Sequence, residues 1–121
     1  MEQRRAYALD YDLLNMLRKN QSNDKFIHLM EQCVSDIKES LHIVGDGLAN
    51  NDFLTIERGS HKLKSLAGTF GLEDTFKLAV LTNEAHHKNE PESLIKKHAT
   101  DLLASGQYSL RTLQVYISGI E

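Results

Sequence analysis

The sequence predicts an all-α protein: an antiparallel up-down four-helix bundle with a short additional N-terminal helix. Three observations carry that expectation. The 121 residues include a single proline and no tryptophan, and Leu, Lys, Glu and Ala recur at three-and-four spacing, the period of a helix face. No stretch alternates apolar and polar residues convincingly as a strand would. The periodic segments are separated by short polar breaks, and short connections between helices favour antiparallel neighbours. With 40% apolar residues the chain can close one compact core, so residues 1–121 are expected to form one domain, with the bundle running from about 24 to 118.

The elements follow in order. A short helix over residues 9–19 puts Leu13, Leu14 and Leu17 on one side and stops at the polar run NQSND. Asp24 is expected to cap the next helix, in which Phe26, Met30, Cys33, Ile37, Leu41, Val44 and Leu48 step by four and three. The corner Asn50, Asn51, Asp52 ends it, and a third helix runs from Asp52 to Gly71, a glycine placed as a C-cap. Glu73 and Asp74 suit the start of a fourth helix reaching about Lys88, because acids favour the positive end of the helix dipole. Pro91 fits the first turn of the last helix, whose stripe is Ile95, Ala99, Leu102, Gly106, Leu110, Leu113 and Ile117.

A net charge of −3 gives no general attraction for nucleic acid or anionic lipid. No apolar run is long enough to span a bilayer, and the N-terminal MEQRRAYALDYD lacks the apolar segment of a signal peptide. Cys33 is the only cysteine, so an intrachain disulfide or a thiolate metal site is excluded, and a cytoplasmic location is expected.

A bundle by itself carries no function, and the stretch that can is SHKLKSLAGTFGL, residues 60–72, in the third predicted helix. At 100° per residue, Ile56, Leu63, Leu66, Ala67 and Phe70 fall within roughly 60° of the side opposite His61. Leu54, Glu57, Arg58, Lys64, Ser65, Gly68 and Leu72 fall within roughly 60° of His61 itself. The core therefore faces away from the histidine, which is expected to be solvent-exposed in mid-helix. Lys64 stands one turn on, flanked by the small residues Ser65 and Gly68. Glycine inside a helix costs about 1 kcal/mol relative to alanine, so Gly68 reads as clearance for a molecule approaching the imidazole. Leu54 and Leu72 would make that docking face partly apolar.

These residues resemble the motif of histidine-containing phosphotransfer (HPt) domains, approximately H-x-[LI]-K-G-x-x-x-x-[LIVF]-G. His61, Leu63, Lys64, Phe70 and Gly71 match it, and Ser65 stands where glycine is usual. The resemblance implies a phosphorelay intermediate of two-component signalling, with His61 as phosphoacceptor, Lys64 stabilising phosphoryl charge, and Asn83, twenty-two positions beyond the histidine, as a polar neighbour of the imidazole. It also implies response-regulator receiver domains and a hybrid sensor kinase as partners, a monomeric state, and Mg²⁺ in the partner receiver domain rather than in this chain.

The residue chemistry agrees with this. An exposed imidazole is substantially unprotonated near neutral pH and can accept a phosphoryl group reversibly, and a nearby lysine can neutralise phosphoryl oxygens. Arg58 can assist at the rim. No Gly-rich phosphate loop, nucleotide-binding signature or acidic Mg²⁺ cluster is present, so no autonomous kinase activity is expected. The alternative is a helical adaptor that binds a signalling partner through the same face without carrying phosphate. A metal site is disfavoured: His86 and His87 point about 100° apart on a helix, and no ligand spacing joins them to His98. His28 and His42 read as helix-surface or boundary residues, and Cys33 as a core residue.

Overall fold

The computed structural model describes residues 9–120; residues 1–8 and 121, which the single-domain reading also spans, lie outside the described residues. Five helices follow one another: α1 (Tyr11–Lys19), α2 (Asn23–Ala49), α3 (Phe53–Phe70), α4 (Glu73–His87) and α5 (Glu92–Ile120). Side-chain caps start three of them. The carboxylates of Asp10 and Asp52 accept from the backbone N–H groups of Leu13 and Thr55, satisfying donors that the first turns of α1 and α3 leave free. Thr55's hydrogen bonds hold the Asp52 carboxyl below its ordinary value. At α2 the cap is Ser22, whose Oγ accepts from Lys25 N, and not Asp24. Asp24 lies inside the first turn, where its charge still favours the dipole. Pro91 sits just before α5, its carbonyl accepting from Leu94 and Ile95.

Helices α2 to α5 close into a ring, each packing against two others, α2 on α3 and α5, α4 on α3 and α5. Directions can be read from the contacts. The Gly59 backbone lies against Val44, and that of Gly47 against Ile56, so α3 runs against α2. Asn83 meets Glu57 while Phe76 covers Gly68, so α4 runs against α3. Gly106 lies against Leu41 and the Tyr116 ring against Phe26, so α5 runs against α2. The predicted stripes form the core: Phe26, Met30, Ile37, Val44, Ile56, Leu63, Ala99, Leu102 and Leu113 are fully enclosed. Leu48, Leu66 and Leu110 are only half-buried at its margin.

The core is not wholly apolar. Between α4 and α5, Thr75 Oγ1 stands 2.8 Å from Ser109 Oγ and 3.0 Å from Ser105 Oγ, a short ladder of hydroxyls in which each supplies the other's partner. Helix α1 lies across the end of the bundle formed by the α3–α4 turn and the close of α5. Asp10 N donates to the Gly71 carbonyl at 2.7 Å, and Tyr116 Oη donates to Asn15. No described helix is long and apolar enough to cross a membrane.

Cys33 is enclosed in the stripe of α2, and burial, with the charge of Asp36 adding to it, pushes its thiol from 9.0 up to about 12. Its folded value therefore exceeds its unfolded one. Above pH 9 the unfolded chain sheds a proton that the folded chain keeps, so stability falls by about 1.4 kcal/mol per pH unit until the folded thiol ionises. Denaturation from pH 8 to 11 should show the stability advantage of wild type over Cys33→Ala shrinking as pH rises; a constant difference would contradict this.

Candidate functional site

The site begins with two residues that have almost no side chain. On the inner side of α3, Gly59 lets the helix come so close to α2 that a Cβ there would lie 2.6 Å from Val44 Cγ2 and 2.9 Å from Val44 N. That contact, with Ile56, Leu63 and Ala67 buried below, fixes the rotation of α3 and turns the opposite face outward. On that face His61 is exposed in the middle of the helix. Its imidazole shares a shallow concavity with Lys64, Ser65, Gly68, Thr69, Phe76 and Val80, and a second one, toward α2, with Ile43, Glu57, Arg58 and Lys62. Lys64 is half-buried between α3 and α4, whereas Arg58, Lys62, Ser65 and Gly68 are exposed, and Leu54 is 65% exposed.

Gly68 has a more specific neighbour than a future partner. The Phe76 ring of α4 lies over it, and a Cβ at Gly68 would stand 3.3 Å from Cε1 of that ring. The glycine makes room for Phe76, itself 39% exposed, so the apolar element beside His61 comes from α4. The α3 wheel could not find Phe76 or Val80; the two-residue turn could have, because an antiparallel hairpin pairs Gly68 with Phe76 and Lys64 with Val80.

Leu72 is a correction. It is fully buried and takes no part in the outward face. Gly71 adopts a left-handed conformation (φ 75°, ψ 32°), and Leu72 N donates to the Ala67 carbonyl at 2.9 Å, closing a Schellman turn. The helical phase is lost at that glycine, and the residue after it is buried, as an apolar residue following such a turn frequently is.

Asn83 lies in the seam between α3 and α4, where its hydrogen bonds go to the turn of α3 that leads into His61. It is 4% exposed, and its Nδ2 donates to Glu57 Oε2 at 3.1 Å, with Glu57 O and Ser60 Oγ each at 3.4 Å. Glu57 accordingly leans into the α3–α4 seam and does not stand free on the docking face. Among the other histidines, His28, His42 and His87 are exposed and His86 and His98 half-buried. Among the described residues no group of three or more His, Cys, Asp or Glu side chains converges to hold a metal ion.

The arrangement can therefore present an imidazole nitrogen to a large partner, with a cation close to where a transferred group would sit. Comparison with known proteins bears on what that group is. The family model of the Hpt domain matches residues 24–105. A solved structure of the HPT domain from a Shewanella Hpt sensor hybrid histidine kinase superposes with a TM-score of 0.78 at 18% sequence identity, covering 93% of this chain and 96% of that one. No curated protein matches the chain. The match over α2, α3, α4 and the first half of α5, the same helices that enclose the core and expose His61, means that the chain belongs to the Hpt domain family and serves phosphotransfer in a phosphorelay.

Proposed function

We propose that His61 is the phosphoacceptor, taking a phosphoryl group from the aspartate of one receiver domain and passing it to that of another. The observation that carries this reading is the outward imidazole at the centre of a rigid helix, in one concavity with Lys64 and bordered by Ser65 and Gly68. In the forward step the lone pair of the unprotonated ring nitrogen forms an N–P bond as the P–O bond to the aspartyl carboxylate breaks. The bonding pair leaves on that carboxylate, while the other ring nitrogen keeps its proton. The ring then carries positive charge beside the phosphoryl oxygens, and the reverse step restores both groups.

Little beyond placement and charge is asked of the protein in such a loose transition state. Lys64 supplies charge, and its partial burial holds it near the path instead of sweeping solvent. Leu54, Arg58, Ser65 and Gly68, with Phe76, form the surface on which a receiver docks. Arg58, Lys62 and Lys64 give it a positive bias suited to an acidic partner site. Mg²⁺ belongs to the receiver in this reading. The chain acts as a monomer in the cytoplasm, apart from nucleic acid and membrane, between receivers and a hybrid sensor kinase.

The test is transfer from a panel of radiolabelled phospho-receivers, with the product mapped to His61 as acid-labile, alkali-stable phosphate. Tight receiver binding that survives His61→Ala, with no transfer to wild type, would assign the face to an adaptor instead. In the same assay Lys64→Ala should slow uptake about tenfold, the low end of a charge-assisted hydrogen bond because water reaches the site. Lys64→Arg should recover most of it; an unchanged rate in Lys64→Ala would remove the lysine from the mechanism.

A further inference from the structure

The polar contacts beside the phosphoacceptor surface converge on one carboxylate. Glu57 lies one helical turn before His61, and residues four apart on a helix are neighbours, their Cβ atoms about 5–6 Å from each other. Yet the Glu57 side chain is only 18% exposed, because α4 holds it: Asn83 Nδ2 donates to Oε2 at 3.1 Å, and His87 Nε2 lies 3.4 Å from the same oxygen. Asn83 is buried, and its other contacts are to the same turn of α3, the Glu57 carbonyl and Ser60 Oγ. Ser60 in turn donates to that carbonyl at 3.0 Å. A buried amide is costly where an apolar side chain could fill the seam, and here its donor group is directed at one acid and the backbone beneath it.

We propose that Asn83, assisted by His87, is a positioning residue that tethers the Glu57 carboxylate to α4 and so keeps negative charge off the path by which a phosphoryl group reaches His61. The inference rests on the reading of His61 as phosphoacceptor. A phosphoryl group brings roughly two negative charges, and a freed carboxylate one turn away would repel it throughout transfer. Asn83 thus acts on the transfer through Glu57, the group that its amide holds.

Phosphoramidate provides a partner-free probe. The His61 nitrogen forms its N–P bond as the donor's P–N bond breaks, and ammonia leaves with that pair, taking a proton from solvent. Uptake is followed by phosphate-affinity electrophoresis at a temperature where circular dichroism shows each variant fully folded. Asn83→Leu should label roughly three- to tenfold more slowly than wild type, the range expected for one partly screened like-charge contact. Adding Glu57→Gln to Asn83→Leu should restore the rate to within about twofold of wild type, since no charge is left to release. A merely structural role for Asn83 would not be rescued in this way.

Equal labelling of Asn83→Leu and wild type, or no recovery in the double variant, overturns the tether while leaving His61 as acceptor. No label on wild type overturns the acceptor reading and the tether with it. Should Asn83→Leu fail to fold, His87→Ala decides: His87 is 64% exposed and removable without a cavity, and it should give a smaller slowing that Glu57→Gln again reverses. A His87→Ala rate equal to wild type overturns the tether in that case.

Discussion

His61→Gln should take up no acid-labile phosphate from any phospho-receiver that labels wild type, a loss of at least about a hundredfold set by the assay floor. Glutamine keeps polarity and comparable length but has no basic nitrogen, since its amide lone pair is delocalised into the carbonyl. The variant should fold as wild type does. His61 is exposed and the buried stripe of α3 lies on the other side, so substitution there falls in the range of ordinary surface changes, within about 0.5 kcal/mol. Measuring transfer together with thermal unfolding separates the two effects. Residual labelling of His61→Gln at the wild-type rate would move the acceptor elsewhere, and a collapsed melting temperature would mean the imidazole has a structural role that the packing does not show.

The second large effect is expected at Gly59. A Cβ there meets not only the Val44 methyl but the Val44 backbone nitrogen at 2.9 Å, and Ile43 Cγ2 at 3.1 Å. Backbone cannot rotate aside, so a side chain must push α3 away from α2 along their whole contact. Gly59→Leu should destabilise the fold by about 3 kcal/mol or more, the upper part of the range for overpacking, against which the gain in helix propensity of about 1 kcal/mol is small. Gly68→Ala is the control: its Cβ meets the edge of a half-exposed ring that can swing outward, so the same propensity gain should leave stability within about 1 kcal/mol of wild type. Urea denaturation of the two variants checks the contrast; equal losses would mean that the close approach of α2 and α3 is not what holds the bundle.

Much of this molecule is legible in its sequence, and the exceptions have physical causes. The stripes from Phe26 to Leu48 and from Ile95 to Ile117 announce their helices because a bundle buries one face of each, and three-and-four spacing is the direct trace of that burial. His61 is readable as outward for the same reason, since Leu63, Ala67 and Phe70 fix the inward side. Leu72 is misplaced by the wheel because the wheel assumes unbroken helix, whereas the left-handed turn at Gly71 resets the direction of every later side chain. Capping of α2 by Ser22 could not be chosen over Asp24, since Ser22, Asn23 and Asp24 all carry capping side chains and only the path of the incoming chain decides.

Asn83 and Glu57 are of another kind. Glu57 reads as part of the outward face and Asn83, by the family resemblance, as a neighbour of the imidazole, and only the seam between α3 and α4 pairs the two with each other. Pairings between helices leave no period in a single sequence, so a contact of this kind has no trace in it. Phe76 over Gly68 was hidden similarly, although the short Gly71–Leu72 turn held enough information to align the two helices.

The hydroxyls of Thr75, Ser105 and Ser109 answer a question that greasy stripes cannot. To a helix sliding along its neighbour, one turn of leucines looks much like the next, so apolar packing alone leaves several alignments nearly equal in energy. Moving α5 by four residues would bring Leu113 or Asp101 to Thr75 and strand one of the serines against carbon, at a cost of about 1–3 kcal/mol for each unanswered hydroxyl. Three small polar atoms thereby act as a notch in an otherwise smooth rail, selecting which turn of the longest helix stops against which turn of its neighbour.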